Sequence, residues 1–448
     1  MSIEDPIESA AAVQGVTVPI PSGAFQLRAF AGAAGIIMGS GLVSNVFNYL
    51  YHFTLSRRLG PDAYGTLTTI LAIAAIVAVI GASISVVAMQ ETARMWAAQP
   101  HGRITAFVRR VGLGALGVSA ITGAAIVSIS VPLARYLHVV QPGLWIVFAL
   151  YVAVSIFSGF IRGAAQGAHR FGLYAGSIVS ESIVKLVCGV VFVGLGYAVF
   201  GAVGALLVGA GVGLLVALLP VMVGPTAHAP RQRDYLSLGG EALKVLYVTV
   251  ATTGLLFVDM VFAKHHLSGI AAGYYGAAGT IARTIPYAAG FVALVLMPKA
   301  AAAQHVDRRA LRRLLLMAFG LVLAVITMGL VAVLAWPHVL LHVAYGRAFE
   351  AAAPIVRLYG IDGALLALGM LATNYLIATR EYGIGAYLLG ALVIEAIVMA
   401  LFGNTPVRLL TTAIAVNAAL IPIFAWFLAR SLRAAPQATG PLAAEATK

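Results

Sequence analysis

Between residue 29 and residue 430 the chain alternates long apolar runs with short polar breaks, and this rhythm limits the fold more than any motif does. A helix needs about 20 apolar residues to cross the hydrocarbon of a bilayer. Runs of that length occur at 29–55, 64–90, 104–130, 143–167, 171–198, 200–222, 237–263, 270–298, 311–336, 353–379, 383–402 and 407–430. Backbone groups in lipid must be satisfied within the span, and the strand-like alternation of a barrel is absent, so the runs are read as helices. Only 10% of residues are charged and mean hydropathy is +0.98, whereas a soluble domain carries charge at roughly a quarter of its positions. The expected fold is an all-α polytopic membrane protein of twelve spans. The formal charge of +13 does not indicate nucleic-acid binding, because the basic residues are spread through the short breaks. The acidic opening, MSIEDPIESA, lacks the basic start of a leader. Cys188 is the one cysteine and lies inside an apolar run.

Lys and Arg alternate in density from break to break. Nineteen fall on the side that holds both termini, seven on the other, and Lys185 and Arg283 fall within spans. Basic residues concentrate in cytoplasmic loops, so both termini are expected in the cytoplasm.

A shift of 211 residues lays Tyr64-Gly65 on Tyr275-Gly276 and His169-Arg170-Phe171-Gly172 on Arg380-Glu381-Tyr382-Gly383. Two separate matches at one offset, without a gap, imply two six-helix halves in parallel orientation. The expected division is an N-terminal tail (1–28), a first lobe (29–222), a linker (223–236), a second lobe (237–430) and a C-terminal tail (431–448). Such a parallel repeat suits alternating access, in which two bundles rock about a central cavity.

Several polar residues lie inside the spans. Gly41, Ser44, Asn45, Asn48 and His52 share one face of the first span. That face serves a wet cavity or hydrogen-bonded helix packing. Asp259 in span 7 and Arg283 near the middle of span 8 are natural partners, since a lone intramembrane arginine is costly. Arg283 is also a candidate anchor for pyrophosphate, because a guanidinium offers paired donors to phosphate oxygens. Lys264, Lys185, Asn45, Asn48 and Tyr287 complete the candidate substrate set. Glu181 and Lys185 stand four residues apart, in the order that favours an intrahelical ion pair. Asp259, Asp362, Glu395 and Glu181 are candidates for coupling to H⁺ or Na⁺. Gly159, Gly163 and Gly167 form a small-residue packing face. Within LSRRLGPDAYGTL (55–67), Gly60 and Pro61 break a helix and Asp62 is placed to cap the next. No P-loop, zinc spacing, nucleophile motif or dinucleotide fingerprint is present, so neither ATP-driven transport nor catalysis is expected, and no cofactor is implied.

RLGPDAYG at 58–65, following one apolar run and preceding another, resembles the polysaccharide (Wzx-type) flippases. These belong to the multidrug/oligosaccharidyl-lipid/polysaccharide exporter superfamily. VDMVFAKHHLSGIAAGYYGAAGTIARTIPYAAGFVALVLMPKAAA, 258–302, is similar to that family's spans 7 and 8, and GRAFEAAAPIVRLYG, 346–360, to its entry into span 10. The resemblance covers roughly 30–430. It implies two six-helix lobes around a V-shaped cavity lined by spans 1, 2, 7 and 8, and translocation of a polyprenyl-pyrophosphate-linked glycan for polysaccharide biosynthesis. Family members often act as monomers. Alternatives are a cation-coupled multidrug exporter of the same superfamily and a lipid II flippase. The first span lacks the acid an exporter of cations would want, and a lipid II flippase commonly has extra spans. A membrane glycosyltransferase would need a large outer loop, and none is expected here. Membrane lipids are the remaining partner, through headgroup contact with the basic loops.

Overall fold

The computed structural model describes residues 23–98, 102–139, 141–222, 235–290 and 308–434, and these form helices joined by tight turns. In chain order they are α1 (Gly23–Ala98), α2 (Gly102–Ser128), α3 (Ser130–Tyr136), α4 (Pro142–Gly167), α5 (Phe171–Gly194), α6 (Ala198–Met222), α7 (Tyr235–His266), α8 (Gly269–Ala282), α9 (Arg308–Ala335), α10 (Pro337–Tyr345), a 3-10 turn (Arg347–Ala352), α11 (Ala353–Ala378), α12 (Ile384–Phe402) and α13 (Pro406–Ala434). Among the described residues ten helices are long and apolar enough to cross a membrane. The apolar part of α1 runs for 62 residues, or about 90 Å of helix against roughly 30 Å of hydrocarbon, so it makes two passes. The eighth expected span (270–298) begins as α8; its end at 291–298 lies outside the described residues, as does most of the expected linker.

The two arms of α1 meet at Gly60, whose φ of 71° and ψ of 174° are non-helical. This region of backbone space is open in practice only to glycine, and the following Pro61 disfavours helical geometry at position 60. The loop expected between spans 1 and 2 thus shrinks to a kink. Asp62 does not cap the second arm: its carboxylate lies against Gly269, the first residue of α8. The uncharged boundary between spans 5 and 6 falls at Leu195–Tyr197, where Gly196 takes a φ of 93°. Short helices α3 and α10 were not separable from their neighbouring apolar runs by sequence.

Within the first half α1 packs on α4 and α5, and α5 on α6; within the second, α7 packs on α12 and α11 on α13, α9 and α8. The expected glycine face on α4 is a close helix crossing. Gly159 meets the carbonyl of Gly81, with room for a Cβ only 2.8 Å from that oxygen; Gly163 meets the Ser85 carbonyl and Gly167 the Met89 carbonyl. Small residues permit such backbone approach where lipid provides no hydrophobic drive. The repeat also has a backbone signature. His169 and Arg380, related by the 211-residue shift, both take left-handed φ, 56° and 60°, and Tyr64 and Tyr275 are both fully buried.

Candidate functional site

The polar residues gather into two clusters, one in each half. In the second half, Arg283 follows the last residue of α8 and turns inward toward α7. Its Nε donates to the Leu256 carbonyl at 2.8 Å, and its Nη2 donates to Asp259 Oδ1 at 2.8 Å and to the Tyr359 hydroxyl at 3.0 Å. The guanidinium lies 4.7 Å from the Phe257 ring centre and 5.3 Å from that of Tyr359. Asp259 accepts further bonds from its neighbouring Met260 amide at 2.8 Å, from the Tyr275 hydroxyl at 3.1 Å, and from the Tyr359 hydroxyl. The expected ion pair therefore exists, and both partners are more than nine-tenths buried. The hydrogen bonds made by Arg283 Nε and Nη2 and accepted by Asp259 offset the desolvation that would otherwise make such a pair unfavourable.

Around this pair lie two more carboxylates. Asp362 on α11 is 2% exposed and accepts from Asn417 Nδ2 of α13 at 2.8 Å. Glu395 on α12 is fully buried, and neither of its oxygens meets a donor among the described residues. Of these three buried carboxylates, Asp259 is the one bonded to the guanidinium among the described residues. No cluster of three or more His, Cys, Asp or Glu among the described residues is placed to hold a metal ion.

The first-half cluster is more open. Lys185 of α5 is half-buried; its Nζ donates to Asn48 Oδ1 on α1 and sits 5.1 Å from the Tyr51 ring centre. The expected Glu181–Lys185 pair does not form. Glu181 instead pairs with Arg162 of α4, whose Nε donates to Ser177 Oγ at 2.8 Å. A guanidinium from the neighbouring helix satisfies the carboxylate with good geometry, which frees Lys185 to reach α1. The polar stripe of span 1 faces protein at three positions: Ser44 bonds Ser182, Asn48 bonds Lys185, and His52 Nδ1 is 2.9 Å from the Tyr64 hydroxyl. Asn45 is exposed, as is Tyr287 at 43%.

The candidate substrate residues therefore divide by access. Asn45, Asn48, Lys185 and Tyr287 are reachable, whereas Arg283 is enclosed. Lys264 is also buried, in the last turn of α7, and is not among the bonding partners of Arg283. Sequence reasoning missed Tyr359, Tyr275, Asn417 and Arg162. The tyrosines carry no local signal, and Tyr359 lies 100 residues from the aspartate it bonds. Arg162 was legible only as a loop charge, because span 4 was placed by its apolar run.

A solved multidrug resistance MATE family transporter of the MOP superfamily, in an inward-facing conformation, superposes with a TM-score of 0.68 over 87% of this chain and 95% of its own, at 15% identity. An outward-facing conformation of such a transporter gives 0.60 over 90% and 96%, at 18% identity. A MOP superfamily transporter from Pyrococcus furiosus, described as having a binding pocket of reverse polarity that suggests a different function, gives 0.57 over 90% and 96%, at 15% identity. The architecture is accordingly that of the MOP superfamily transporters, a multi-pass membrane fold. Within it, residues 31–304 match the model of the polysaccharide biosynthesis protein family, and the chain belongs to that family. No curated protein matches the sequence.

Proposed function

We propose that this protein is a flippase that moves a polyprenyl-pyrophosphate-linked oligosaccharide across the bacterial inner membrane by alternating access, with both termini cytoplasmic. The observation that carries the reading is Lys185: an intramembrane ammonium that is partly exposed and, among the described residues, donates to one neutral acceptor, Asn48. An ammonium has three donors, so two are free for phosphate oxygens. A first span without any acid adds no carboxylate beside this cation, which suits an anionic headgroup better than a cationic drug. A solved transporter of this fold described as having a binding pocket of reverse polarity, suggesting a different function, supports a pocket of altered charge here. Asn45, Asn48 and Tyr287 supply hydrogen-bonding groups for the adjoining sugar. Arg283 joins the anion only if Asp259 and Tyr359 release it, so it serves as a later contact. Asp362 and Glu395, lacking a cation of their own, are the sites at which H⁺ or Na⁺ would couple to the cycle.

The test is headgroup translocation in proteoliposomes. A fluorescent polyprenyl-pyrophosphate sugar is followed by its access to an external quencher, for the wild type, Lys185→Met and Arg283→Ala. Protein-dependent flipping, lost at least tenfold in Lys185→Met with an unchanged melting temperature, supports the assignment. Absence of flipping, together with uptake of a cationic dye under a Na⁺ or H⁺ gradient, overturns it in favour of a drug exporter.

A further inference from the structure

The first half gathers two cations, Arg162 and Lys185, around one acid. Of the acids between residues 29 and 222, Asp62 and Glu91 stand at the ends of apolar runs, and Glu181 lies inside one. Glu181 precedes Lys185 by four residues on α5, a spacing that puts both side chains on one face and favours their pairing. The carboxylate turns instead toward α4. Arg162 Nη2 donates to Glu181 Oε2 and, at 3.3 Å, to the Ser177 carbonyl, while its Nε donates to Ser177 Oγ at 2.8 Å. Ser177 Oγ in turn donates to the Gly213 carbonyl at 2.6 Å. Two glycines of α6 make room for this arrangement. A Cβ at Gly213 would lie 2.7 Å from Arg162 Nη2 and 3.0 Å from Glu181 Cβ. One at Gly209 would lie 2.8 Å from the Glu181 carbonyl and 3.0 Å from Lys185 Cβ. The guanidinium thus occupies a seat that a side chain on α6 would close.

Asn48, which accepts from Lys185, is the position that the 211-residue shift lays on Asp259. In the second half that position is a carboxylate, and it holds the Arg283 guanidinium with a matched charge. In the first half it is a neutral amide, so Lys185 is bonded there without being neutralised. We infer that Arg162 is a positioning residue that sets the charge selectivity of the first-half site: it withholds Glu181 from Lys185 and keeps the ammonium available to an anionic headgroup. Lys185, one helical turn away, is the competing donor for Glu181. Arg162 wins because its planar fork reaches the carboxylate and Ser177 together, whereas an ammonium is a single point charge. Loss of Arg162 would leave a partly buried carboxylate unpaired, and the nearest remedy is Lys185. The site would then change from a cation beside a neutral amide to a mutually neutralised pair. The selectivity role rests on the anionic substrate of the proposed function; the choice of partner by Glu181 rests on no substrate.

The experiment measures binding of farnesyl pyrophosphate, with farnesol as the uncharged control, to the full chain in lipid nanodiscs. Arg162→Met is expected to weaken farnesyl pyrophosphate about tenfold, the worth of one charge-assisted hydrogen bond, and to leave farnesol unchanged. Arg162→Met/Glu181→Gln should return to within about twofold of wild type. In a Lys185→Met background Arg162→Met should have no further effect, because it acts through Lys185. Asn48→Asp brings a carboxylate to Lys185 without touching Arg162; it should weaken binding in the same way, and it serves if Arg162→Met does not fold. A loss that Glu181→Gln does not rescue, a loss that persists without Lys185, or an Asn48→Asp protein that binds as wild type refutes the inference. A readout without ligand separates it from the assigned substrate. In protein carrying ¹⁵N-lysine, the Lys185 Nζ resonance, assigned by its absence from Lys185→Met, should move in Arg162→Met and return in Arg162→Met/Glu181→Gln. An unmoved resonance refutes the positioning by Arg162 even if the pyrophosphate binds. A wild type that does not bind farnesyl pyrophosphate overturns the anionic substrate and the selectivity role with it, and the resonance still decides whether Arg162 holds Glu181 away from Lys185.

Discussion

Asp259 and Arg283, 24 residues apart in the chain, meet at 2.8 Å inside the second half, where the guanidinium also donates to Leu256 and Tyr359. Breaking such a pair leaves a buried charge without compensation, at a cost of about 3–5 kcal/mol. Arg283→Ala should therefore lower the melting temperature in detergent markedly, and Asp259→Asn alone should do so as well. The double variant Asp259→Asn/Arg283→Met should recover most of the loss. A double variant no more stable than either single one would show that the pair is not an isolated electrostatic unit.

Glu395 makes the opposite prediction. Its oxygens are buried without donors among the described residues, so an ionised carboxylate gains nothing from them. Glu395→Gln should leave the melting temperature at neutral pH unchanged or raised. If Glu395 carries the coupled proton, the same variant should transport with a rate that no longer varies between pH 6 and pH 8, assayed in the proteoliposome system at equal pH on both faces.

The crossing of α4 on α1 should be intolerant of volume. A Cβ at Gly163 falls on the Ser85 carbonyl, which cannot move aside as a flexible side chain could. Gly163→Val should cost about 1–3 kcal/mol, the usual range for overpacking, and reduce the yield of monodisperse protein. Gly114, also within a span but with open space around its Cα, is the control: Gly114→Ala should melt as the wild type does.

Gly60 should be intolerant for a backbone reason instead. Nothing lies within 4 Å of its absent Cβ, yet its φ and ψ belong to a region other residues avoid. Gly60→Ala should cost about 1–3 kcal/mol through strain alone. Thermal unfolding of Gly60→Ala beside Gly41→Ala, another uncrowded helical glycine with ordinary backbone geometry, separates strain from helix propensity.

Much of this architecture was legible in the sequence because a bilayer is a severe solvent. It forces backbone groups into helices and polar groups into loops or pairs, so apolar run length gave the spans and charge spacing gave the Asp259–Arg283 pair. The glycine face at 159, 163 and 167 was readable for the same reason, since close backbone approach has a fixed four-residue period. The 211-residue repeat was readable at two short motifs, and the matching φ of His169 and Arg380 shows that it extends to backbone geometry.

Partner choice among equivalent side chains was not legible. Spacing offered Glu181 to Lys185, but α4 brought Arg162 to Glu181 and left Lys185 to Asn48 on α1. Spacing offered Asp62 to its own helix, but packing placed it on α8. Nor could sequence rank Arg283 against Lys185 as an anion contact, because a tyrosine 76 residues beyond Arg283 helps to enclose it. The sequence by itself determined the membrane class, the spans and the family, since each depends on local hydrophobicity, charge and short motifs. Only the tertiary structure decided which cation is enclosed and which has donors to spare, because a side chain's free valence is set by neighbours that the chain brings from far away.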